Sequence, residues 1–311
     1  MAEAGRKLSL SGWVWVSVAG LAAFELIAHV WIVTHVPSDE SWREAASFVR
    51  PRLTSTDSIV SAPSWVDPFV RRELGDVMSL RAAAPPDGAG FDRVWELGIR
   101  GATTRTDTPT LERMIGPVRI RMWEVEAPAM VFDFVEHIAR AEVELVRSEG
   151  SVACPWTRGR PDPGGLERGP MKPVQRFECD PRRPWAWVGA TILADLDLRP
   201  RRCIWQHPSG DGPVRTTFRD VPLADTLVVR AGVDYQAERR RKYAPVTLRV
   251  FIDDVLAGEL VHRDGDGWTG FEIDTTRTRG TLAAVRFETT ASDPTARLFC
   301  YAASTQAEGA P

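Results

Sequence analysis

Nucleophilic catalysis needs a serine or cysteine with a histidine and an acid close by, and this sequence has no motif that combines them. It contains five histidines. His29 and His35 lie in an apolar stretch, which leaves His137, His207 and His262. None of the five belongs to a G-x-S-x-G nucleophile elbow or to an H-E-x-x-H zinc motif. The motifs therefore predict no catalytic residue.

Paired carboxylates could instead act as the acid and base of a glycoside hydrolase. Six aspartates near predicted strand ends are candidates, but turn formation explains aspartate at such positions better. They are Asp195, Asp197, Asp220, Asp234, Asp253 and Asp254. The segment Asp264-Gly265-Asp266-Gly267 resembles a calcium loop but lacks the distal bidentate glutamate, so a hairpin turn is favoured. We predict neither a metal site nor a cofactor.

The four cysteines predict disulfides if they lie in an oxidising compartment, and four cysteines allow three connectivities. We favour Cys154–Cys179, which closes a segment rich in proline and glycine, and Cys203–Cys300, which joins two strands. The alternative is a zinc site that includes Cys203 and His207. It lacks a second pair at zinc-ligand spacing.

Twelve tryptophans offer the best indication of binding. The candidate ligand-binding residues are Trp156, Trp185, Trp187 and Trp268. If their segment is extended, Trp185 and Trp187 project on one face. Exposed aromatic rings suit the flat faces of sugars, and the indole N–H adds a polar contact. The alternative is that these residues belong to the core.

One apolar stretch determines on which side of a membrane the rest of the chain would lie. Residues 12–36 are long enough, as a helix, to cross a hydrocarbon core about 30 Å thick. Arg6 and Lys7 precede the stretch, while Asp39 and Glu40 follow it. The positive-inside rule then predicts a single-pass protein of the inner (cytoplasmic) membrane. Its segment 1–11 would be cytoplasmic and the rest extracytoplasmic.

Two other interpretations of this stretch are a cleaved signal peptide and a buried soluble helix. A signal peptide has a shorter apolar core and a small-x-small cleavage site. Trp13, Trp15 and Trp31 near the two ends are typical of membrane interfaces. Both features favour a transmembrane helix.

Glu25 and His29 lie near the middle of the stretch, four residues apart and therefore on one helical face. An ionisable residue at bilayer depth is costly and indicates a functional site. The pair could contact another membrane helix, where Ala22 and Ala28 permit close approach. The alternative is that Glu25 is neutral and bonds His29 within the same helix.

The exported part is long enough for two domains. Region 38–130 alternates helical and strand patterns, which predicts a small α/β domain. Its predicted helices are 41–49 and 64–74, and its predicted strands are 57–62, 94–99 and 118–123.

Region 131–305 is dominated by strand patterns after a short linking helix at 132–141. Many short strands separated by turns predict an antiparallel, jelly-roll-like β-sandwich. The predicted strands are 142–146, 187–198, 203–205, 214–218, 226–231, 247–252, 259–262, 271–274, 283–288 and 297–302. Residues 306–311 are predicted to form a disordered tail.

Charge excludes one class of partner. The formal net charge is −3, which gives no bulk attraction to nucleic acid. Basic residues cluster locally at 239–242 and at 182–183, beside turn-like sequence that favours solvated loops.

Two stretches resemble known families. The segment from Asp39 to Val125, including SWREAASFV, FDRVWELGI and VRIRMWEVEAP, resembles the soluble extracytoplasmic region of glycosyltransferase family 39-type membrane proteins. The second half, with RRCIWQHP, PVTLRVFIDD, DGWTGFEIDT and RLFCYAA, is similar to galactose-binding-like jelly-roll domains. The first resemblance implies a link to transferases whose active site is built from many membrane helices. One membrane helix cannot build such a site.

Two classes of function follow from these features. The first is a membrane-anchored extracytoplasmic binding or accessory protein without catalysis of its own. Its partners would be the membrane, a glycan and a multi-spanning membrane protein such as a glycosyltransferase. The alternative is a glycan-active hydrolase or transferase with its site between the two exported domains. That alternative requires convergent carboxylates or a histidine–acid pair in a cleft.

Overall fold

A computed structural model describes residues 10–78, 90–164 and 170–308. The predicted cytoplasmic residues 1–9 and the predicted tail residues 309–311 lie outside this part of the chain. Helix α1 (Leu10–His35) contains a window, Trp13–Val33, with a mean hydropathy of 1.9. None of this window is buried in the protein, so α1 is not a soluble core helix. By length and composition it could cross a membrane.

A small α/β unit follows. Its elements are α2 (Asp39–Val49), β1 (Asp57–Ala62), α3 (Asp67–Leu74), β2 (Arg93–Gly98), β3 (Leu111–Ile115) and β4 (Val118–Glu124). Ser38 caps α2 by accepting a hydrogen bond from the Ser41 N–H. The four strands form one sheet in the order β1-β2-β4-β3, with β1 and β2 parallel and the other pairs antiparallel.

The apolar faces of these elements form one core. Trp42 and Val49 on α2 and Val70 on α3 are buried against Trp95 on β2 and Ile120 on β4. The helical spacing on α2 and α3 and the alternation on the strands place these residues on one side of each element. The predicted helices and strands of this region are all present, and β3 is an additional strand.

The remaining strands form a mostly antiparallel β-sandwich. Its bounds are β5 (Ala129–Asp133), β6 (Glu142–Arg147), β7 (Gly150–Ala153), β8 (Trp156–Arg158), β9 (Gln175–Glu178), β10 (Trp187–Ala194), β11 (Pro200–Gln206), β12 (Val214–Pro222), β13 (Thr226–Val233), β14 (Val246–Ile252), β15 (Val255–His262), β16 (Thr269–Asp274), β17 (Leu282–Ala291) and β18 (Phe299–Ala307), with the short helix α4 (Tyr235–Arg239) after β13. One sheet has the order β16-β13-β18-β11-β10-β9-β8, with β5 also paired to β18. The other has the order β15-β14-β17-β12-β6-β7.

The sandwich core lies between the two sheets. Phe218 and Phe287 of the six-stranded sheet pack edge-on against Phe134. Tyr301 of the eight-stranded sheet stacks on Phe287 with ring centroids 4.7 Å apart. These rings are fully buried, and Val229 also belongs to the cluster. Alternation along each strand places one set of side chains inside and leaves the other set on the outer face.

Three predictions for this region are wrong in part. Segment 132–141 continues β5 and then forms turns and a single 3₁₀ turn, Ile138–Arg140, instead of a helix. The Asp264–Gly267 segment connects strands of different sheets, so it is not a hairpin turn. Strand β18 extends to Ala307, two residues into the predicted tail. The Asp253-Asp254 hairpin is confirmed, with φ angles of +47° and +65°.

Both favoured disulfides are confirmed. Cys154–Cys179 links the segments beside β7 and β9, and Cys203–Cys300 links β11 to β18. Cys203 and Cys300 are fully buried beneath Trp187 and Trp205 on the outer face of the eight-stranded sheet. The zinc alternative is excluded because Cys203 is oxidised in this pair.

Removing the two disulfides should have unequal effects on stability. They close chain segments of 97 residues (Cys203–Cys300) and 25 residues (Cys154–Cys179). The loop-closure relation gives about 5 and about 3.5 kcal/mol, respectively. We expect the Cys203→Ala/Cys300→Ala chain to unfold at lower denaturant concentration than the Cys154→Ala/Cys179→Ala chain. Equal midpoints and equal slopes in guanidinium unfolding would contradict this expectation.

Candidate functional site

Five connections meet at one end of the sandwich, which we call the loop end. They are the β9–β10 connection (179–186), the β11–β12 connection (207–213), the β13–β14 connection (234–245), the β15–β16 connection (263–268) and the β17–β18 connection (292–298). Arg183 binds Asp211 at 3.0 Å, which joins the first two. A Cβ atom on Gly210 would lie 3.4 Å from Pro294, so the second and the fifth are in contact.

Asp264 joins the other three connections. Its Oδ2 accepts hydrogen bonds from the Lys242 and Tyr243 N–H groups, each at 3.0 Å. Its Oδ1 accepts a 2.8 Å hydrogen bond from Arg297 Nη1. The side chains of Asp264 and Arg297 are 5% and 0% exposed, so this is a buried ion pair. Because both oxygens are used, the carboxylate fixes the backbone of the β13–β14 connection.

Glu238 is a second buried carboxyl group that holds two connections together. Its Oε1 accepts hydrogen bonds from the Gly265 and Gly267 N–H groups, while Oε2 has no hydrogen-bond partner. Burial raises the pKa of Glu238 to about 7. His262 Nε2 lies 3.8 Å from Oε1 and donates to the Gly267 carbonyl oxygen at 2.9 Å. Burial lowers the pKa of His262, so its ring is held neutral.

Glu238 and His262 form the kind of perturbed histidine–acid pair that often marks an active site. Both side chains are 0% exposed, so a substrate cannot reach them. The pair therefore holds α4 to the β15–β16 connection instead of meeting a ligand. No sequence pattern marks Glu238 as buried, because a glutamate before four basic residues is typical of a solvated helix.

The four candidate tryptophans occupy different environments. Trp187 is wrong as a ligand contact, because it is 4% exposed and stacks on Trp205 with centroids 5.3 Å apart. Trp185 lies in a turn before β10, and Trp187 is the first residue of that strand. The Trp187 N–H donates a hydrogen bond to the Trp185 carbonyl oxygen, so the backbone is not extended between them. The two rings therefore do not alternate along a strand. Trp156 packs on Phe177 of the sandwich core at 4.7 Å.

Trp268 is half-buried at the loop end. It covers Gly232, where a Cβ atom would come within 2.7 Å of the ring. It packs against the tryptophan and disulfide cluster of the outer face, with the Arg201 guanidinium 5.6 Å from the ring centroid. Its buried Nε1 has no hydrogen-bond partner.

Trp185 is the half-exposed aromatic residue with the most polar surroundings. Its ring centroid lies 4.5 Å from that of His207 and 5.7 Å from the Arg183 guanidinium carbon. Asp211 binds Arg183, and Asp180 lies 3.6 Å from the same guanidinium. A cavity of about 10 Å³ beside the ring holds no more than a water, so a ligand would lie on the surface.

The charge states of this site follow from hydrogen bonding and burial. The His207 Nδ1–H donates to the Pro208 carbonyl oxygen at 2.7 Å. Burial lowers the pKa of His207 to about 4, so the ring is neutral at pH 7 and Nε2 is an acceptor. The Arg182 N–H holds the pKa of Asp180 below its usual range, so that carboxylate is charged. His207 and Asp180 are buried, so the partly exposed Arg183 and Asp211 are the groups that can donate to and accept from the hydroxyls of a surface ligand.

A second depression lies on the outer face of the six-stranded sheet. It has a volume of about 450 Å³ and no aromatic residue lines it. Its charged groups bind each other, as Glu142 does with both Arg219 Nε and Nη2 at 2.7 and 2.8 Å. Arg286 similarly binds Asp254 and Glu288. These groups form a paired ladder across the strands, which is typical of a solvated sheet face.

The other residues that the sequence singled out do not come together in one site. Glu25 and His29 are both exposed on α1. Of the candidate aspartates, Asp195 is buried and binds Arg201 at 2.7 Å, while Asp234 caps α4 through the Gln236 N–H. Asp253 accepts a hydrogen bond from the Ala284 N–H on the neighbouring strand β17. These contacts give the aspartates structural roles and do not bring them together as a catalytic pair.

No protein-family model matches the chain, and no curated protein matches it. The resemblance of segment 39–125 to glycosyltransferase family 39-type proteins therefore finds no support. Solved structures do match. The CBM51 of a Clostridium perfringens GH95 protein in complex with methyl-galactose is 9% identical and has a TM-score of 0.28. The match covers 38% of this chain and 81% of that chain.

Two further matches cover more of this chain. The tandem CBM51 modules of a family 98 glycoside hydrolase from Streptococcus pneumoniae are 10% identical, with a TM-score of 0.29 over 61% of this chain and 54% of that one. The CBM51-2 and INT domains of Clostridium perfringens ZmpB are 12% identical, with a TM-score of 0.30 over 53% and 37%. At these values the likeness assigns no ligand and no binding residue to this chain.

Glu238 should make stability depend on pH. Its raised pKa means that the folded chain holds a proton between about pH 4.5 and 7 that the unfolded chain releases. This contribution to the free energy of unfolding therefore falls as pH rises through that window. Glutamine keeps the acceptor for Gly265 and Gly267 without titrating. We expect Glu238→Gln to raise the Tm more at pH 8 than at pH 5.

The matched control is Glu149→Gln, which makes the same substitution at an exposed carboxyl, and an equal difference between pH 5 and pH 8 in this variant would contradict the assignment to Glu238. His262, Asp264 and Arg297 face the same cluster and are unchanged in both variants. A pH-independent effect of Glu238→Gln would show that the carboxyl does not titrate in this window.

Proposed function

We propose that this protein is a membrane-anchored extracytoplasmic binding protein that recognises a glycan at the loop end of its β-sandwich. The observation that carries the proposal is the half-buried ring of Trp185 beside the partly exposed side chains of Arg183 and Asp211. A sugar offers both an apolar face and a ring of hydroxyls. A binding site for it therefore needs an aromatic surface beside fixed donors and acceptors.

The polar groups around Trp185 are fixed before any ligand arrives. Asp180 accepts from the Arg182 N–H at 3.0 Å, and the neighbouring Cys179 is held by its disulfide to Cys154. His207 is fixed by its hydrogen bond to the Pro208 carbonyl oxygen. Groups that are already ordered lose little conformational entropy on binding. This arrangement supports recognition of a ligand on the surface without an enclosed pocket.

Helix α1 supports the anchored location. Its apolar window is long enough to span a membrane, and basic residues precede it in the sequence. Two disulfides are consistent with an oxidising compartment outside the cytoplasm. We place Glu25 and His29 at a contact with a multi-spanning membrane protein. Both side chains are exposed on α1, where lipid would leave an ionisable pair without a polar partner.

The glycan proposal is tested with the full chain in nanodiscs on an array of oligosaccharides. We expect binding to at least one class of glycan and a loss of about tenfold in affinity for Trp185→Ala, the size typical of a central aromatic contact. The matched control is Trp65→Ala, because Trp65 is 51% exposed in the α/β unit. No binding to any glycan, or equal losses for the two variants, would contradict the proposal.

The membrane contact is tested by co-purification. We expect the double variant Glu25→Leu/His29→Leu to insert normally, since leucine favours the bilayer, but to lose its membrane partner. Ser17→Leu/Gly20→Leu serves as the control substitution on the same helix. If the double variant keeps every partner of the wild-type chain, α1 is only an anchor.

A further inference from the structure

The β13–β14 connection carries four consecutive exposed cations, and the β15–β16 connection adds Arg263. We call these five residues the cationic rim: Arg239, Arg240, Arg241, Lys242 and Arg263. Within residues 10–78, 90–164 and 170–308, no carboxylate forms an ion pair with any of their side chains. Arginines on the sheets behave differently, as Arg249 binds Glu259 and Arg230 binds Glu272.

Two nearby carboxylates, Asp264 and Glu238, are turned inward, while the exposed Asp266 accepts a hydrogen bond from the Arg263 N–H. Asp264 uses Oδ2 for the Lys242 and Tyr243 N–H groups and Oδ1 for Arg297. Glu238 is buried beneath the rim and holds Gly265. Both acids therefore support the backbone of the rim and leave its outer charges without a direct partner. A chain with an overall negative charge thus carries a local positive surface.

Tyr243 lies on the inner side of this surface and contacts three cations. Arg240 Nη1 donates to the Tyr243 hydroxyl at 3.1 Å, and Lys242 Nζ lies 5.4 Å from the ring centroid. The Arg297 guanidinium carbon lies 4.9 Å from the same centroid. Arg297 is fully buried, and its Nε and Nη2 atoms have no hydrogen-bond partner. Because Arg297 is buried, a ligand can reach only the exposed Arg240 and Lys242, and two cations beside one phenol suit an oxyanion.

The rim is held in place before binding. Arg241 adopts a φ of +50°, which costs free energy for a side chain of this kind. The surrounding hydrogen bonds to Asp264 keep it there. The side chain of Arg241 lies over Gly265, where a Cβ atom would be 3.6 Å from its Nε. The cations are therefore presented by a fixed backbone and not by a free loop.

The exposed apolar residues indicate which polyanion the rim fits. None of the five connections of the loop end carries an exposed large apolar side chain that could insert into a bilayer. Such residues lie at the opposite end of the sandwich, at Leu198, Val255, Leu256 and Leu282. The loop end instead combines its cations with Trp185 and Tyr243. Aromatic rings beside cations suit a charged sugar better than a lipid surface.

We propose that the cationic rim binds the carboxylate or phosphate groups of an anionic glycan whose sugar ring contacts the Trp185 site. This inference rests on the proposed glycan-binding function and narrows its ligand to charged saccharides. The two surfaces are connected through the backbone, because Gly210 of the β11–β12 connection contacts Pro294 of the β17–β18 connection. Arg297 of the latter connection binds Asp264 beneath the rim. Arg240 and Lys242 would contact the anion, and Tyr243 would position them.

The test compares tetragalacturonate with its methyl ester, which has the same sugar chain without the charge. The full chain in neutral-lipid nanodiscs is titrated with each by calorimetry at two salt concentrations. We expect the charged tetramer to bind more tightly, with an affinity that falls as salt rises. Arg240→Ala/Lys242→Ala should weaken its binding by about tenfold and leave the ester unaffected.

The control variant is Arg140→Ala/Arg277→Ala, which removes the same charge from exposed positions at the opposite end of the sandwich. Equal binding of tetramer and ester, or equal losses for the two double variants, overturns the proposal. If only vesicles with anionic phosphatidylglycerol bind through Arg240 and Lys242, the rim is a lipid contact and the proposal is wrong. The uncharged ester tests the glycan site separately from the rim. Its binding should be lost in the single variant Trp185→Ala and kept in Arg240→Ala/Lys242→Ala.

Discussion

The loop end depends on one buried carboxylate. Asp264 accepts two backbone N–H groups from the β13–β14 connection and the guanidinium of Arg297 from the β17–β18 connection. Three connections that have no hydrogen-bonded strand ladder of their own thus share one acceptor. Removing either partner would leave an uncompensated charge in the interior, which costs several kcal/mol. The site is therefore fixed by electrostatics as much as by the packing of the two sheets.

Buried titratable groups reinforce this end and the neighbouring Trp185 site in the same way. Glu238 holds the β15–β16 connection, and His207 is fixed through the Pro208 carbonyl oxygen. Burial disfavours the charge of each group, which lowers the pKa of His207 to about 4 and raises that of Glu238 to about 7. Near pH 7 His207 is therefore neutral and Glu238 is only partly ionised, so Glu238 opposes the surrounding arginine charges less than an ordinary carboxylate would. The positive surface at the rim is thus a consequence of how the loops are held together.

The sequence predicts the periodic parts of this fold and misses its long-range contacts. Alternation along residues 246–252 and helical spacing along α2 are local properties, and both elements form as expected. The Cys203–Cys300 pairing also follows from two strand patterns. By contrast, the separation of Trp185 from Trp187 depends on a turn after Asp180-Pro181 and Pro184, a local signal that the assumption of an extended segment left out. The burial of Glu238 depends on Gly265 and Gly267, about thirty residues away, so no local pattern reveals it.

The positions of the charged residues explain why recognition belongs at the loop end. On the outer face of the six-stranded sheet, carboxylates and guanidiniums such as Glu142 and Arg219 already satisfy each other, and a ligand would have to break those pairs. On the outer face of the eight-stranded sheet, tryptophans cover the buried disulfide. The cationic rim differs from both faces, because none of its side chains forms an ion pair with a carboxylate among the described residues. At the Trp185 site Arg183 already pairs with Asp211, so the unpaired feature there is the aromatic ring. An anion at the rim therefore gains contacts without displacing existing ion pairs, which favours net affinity.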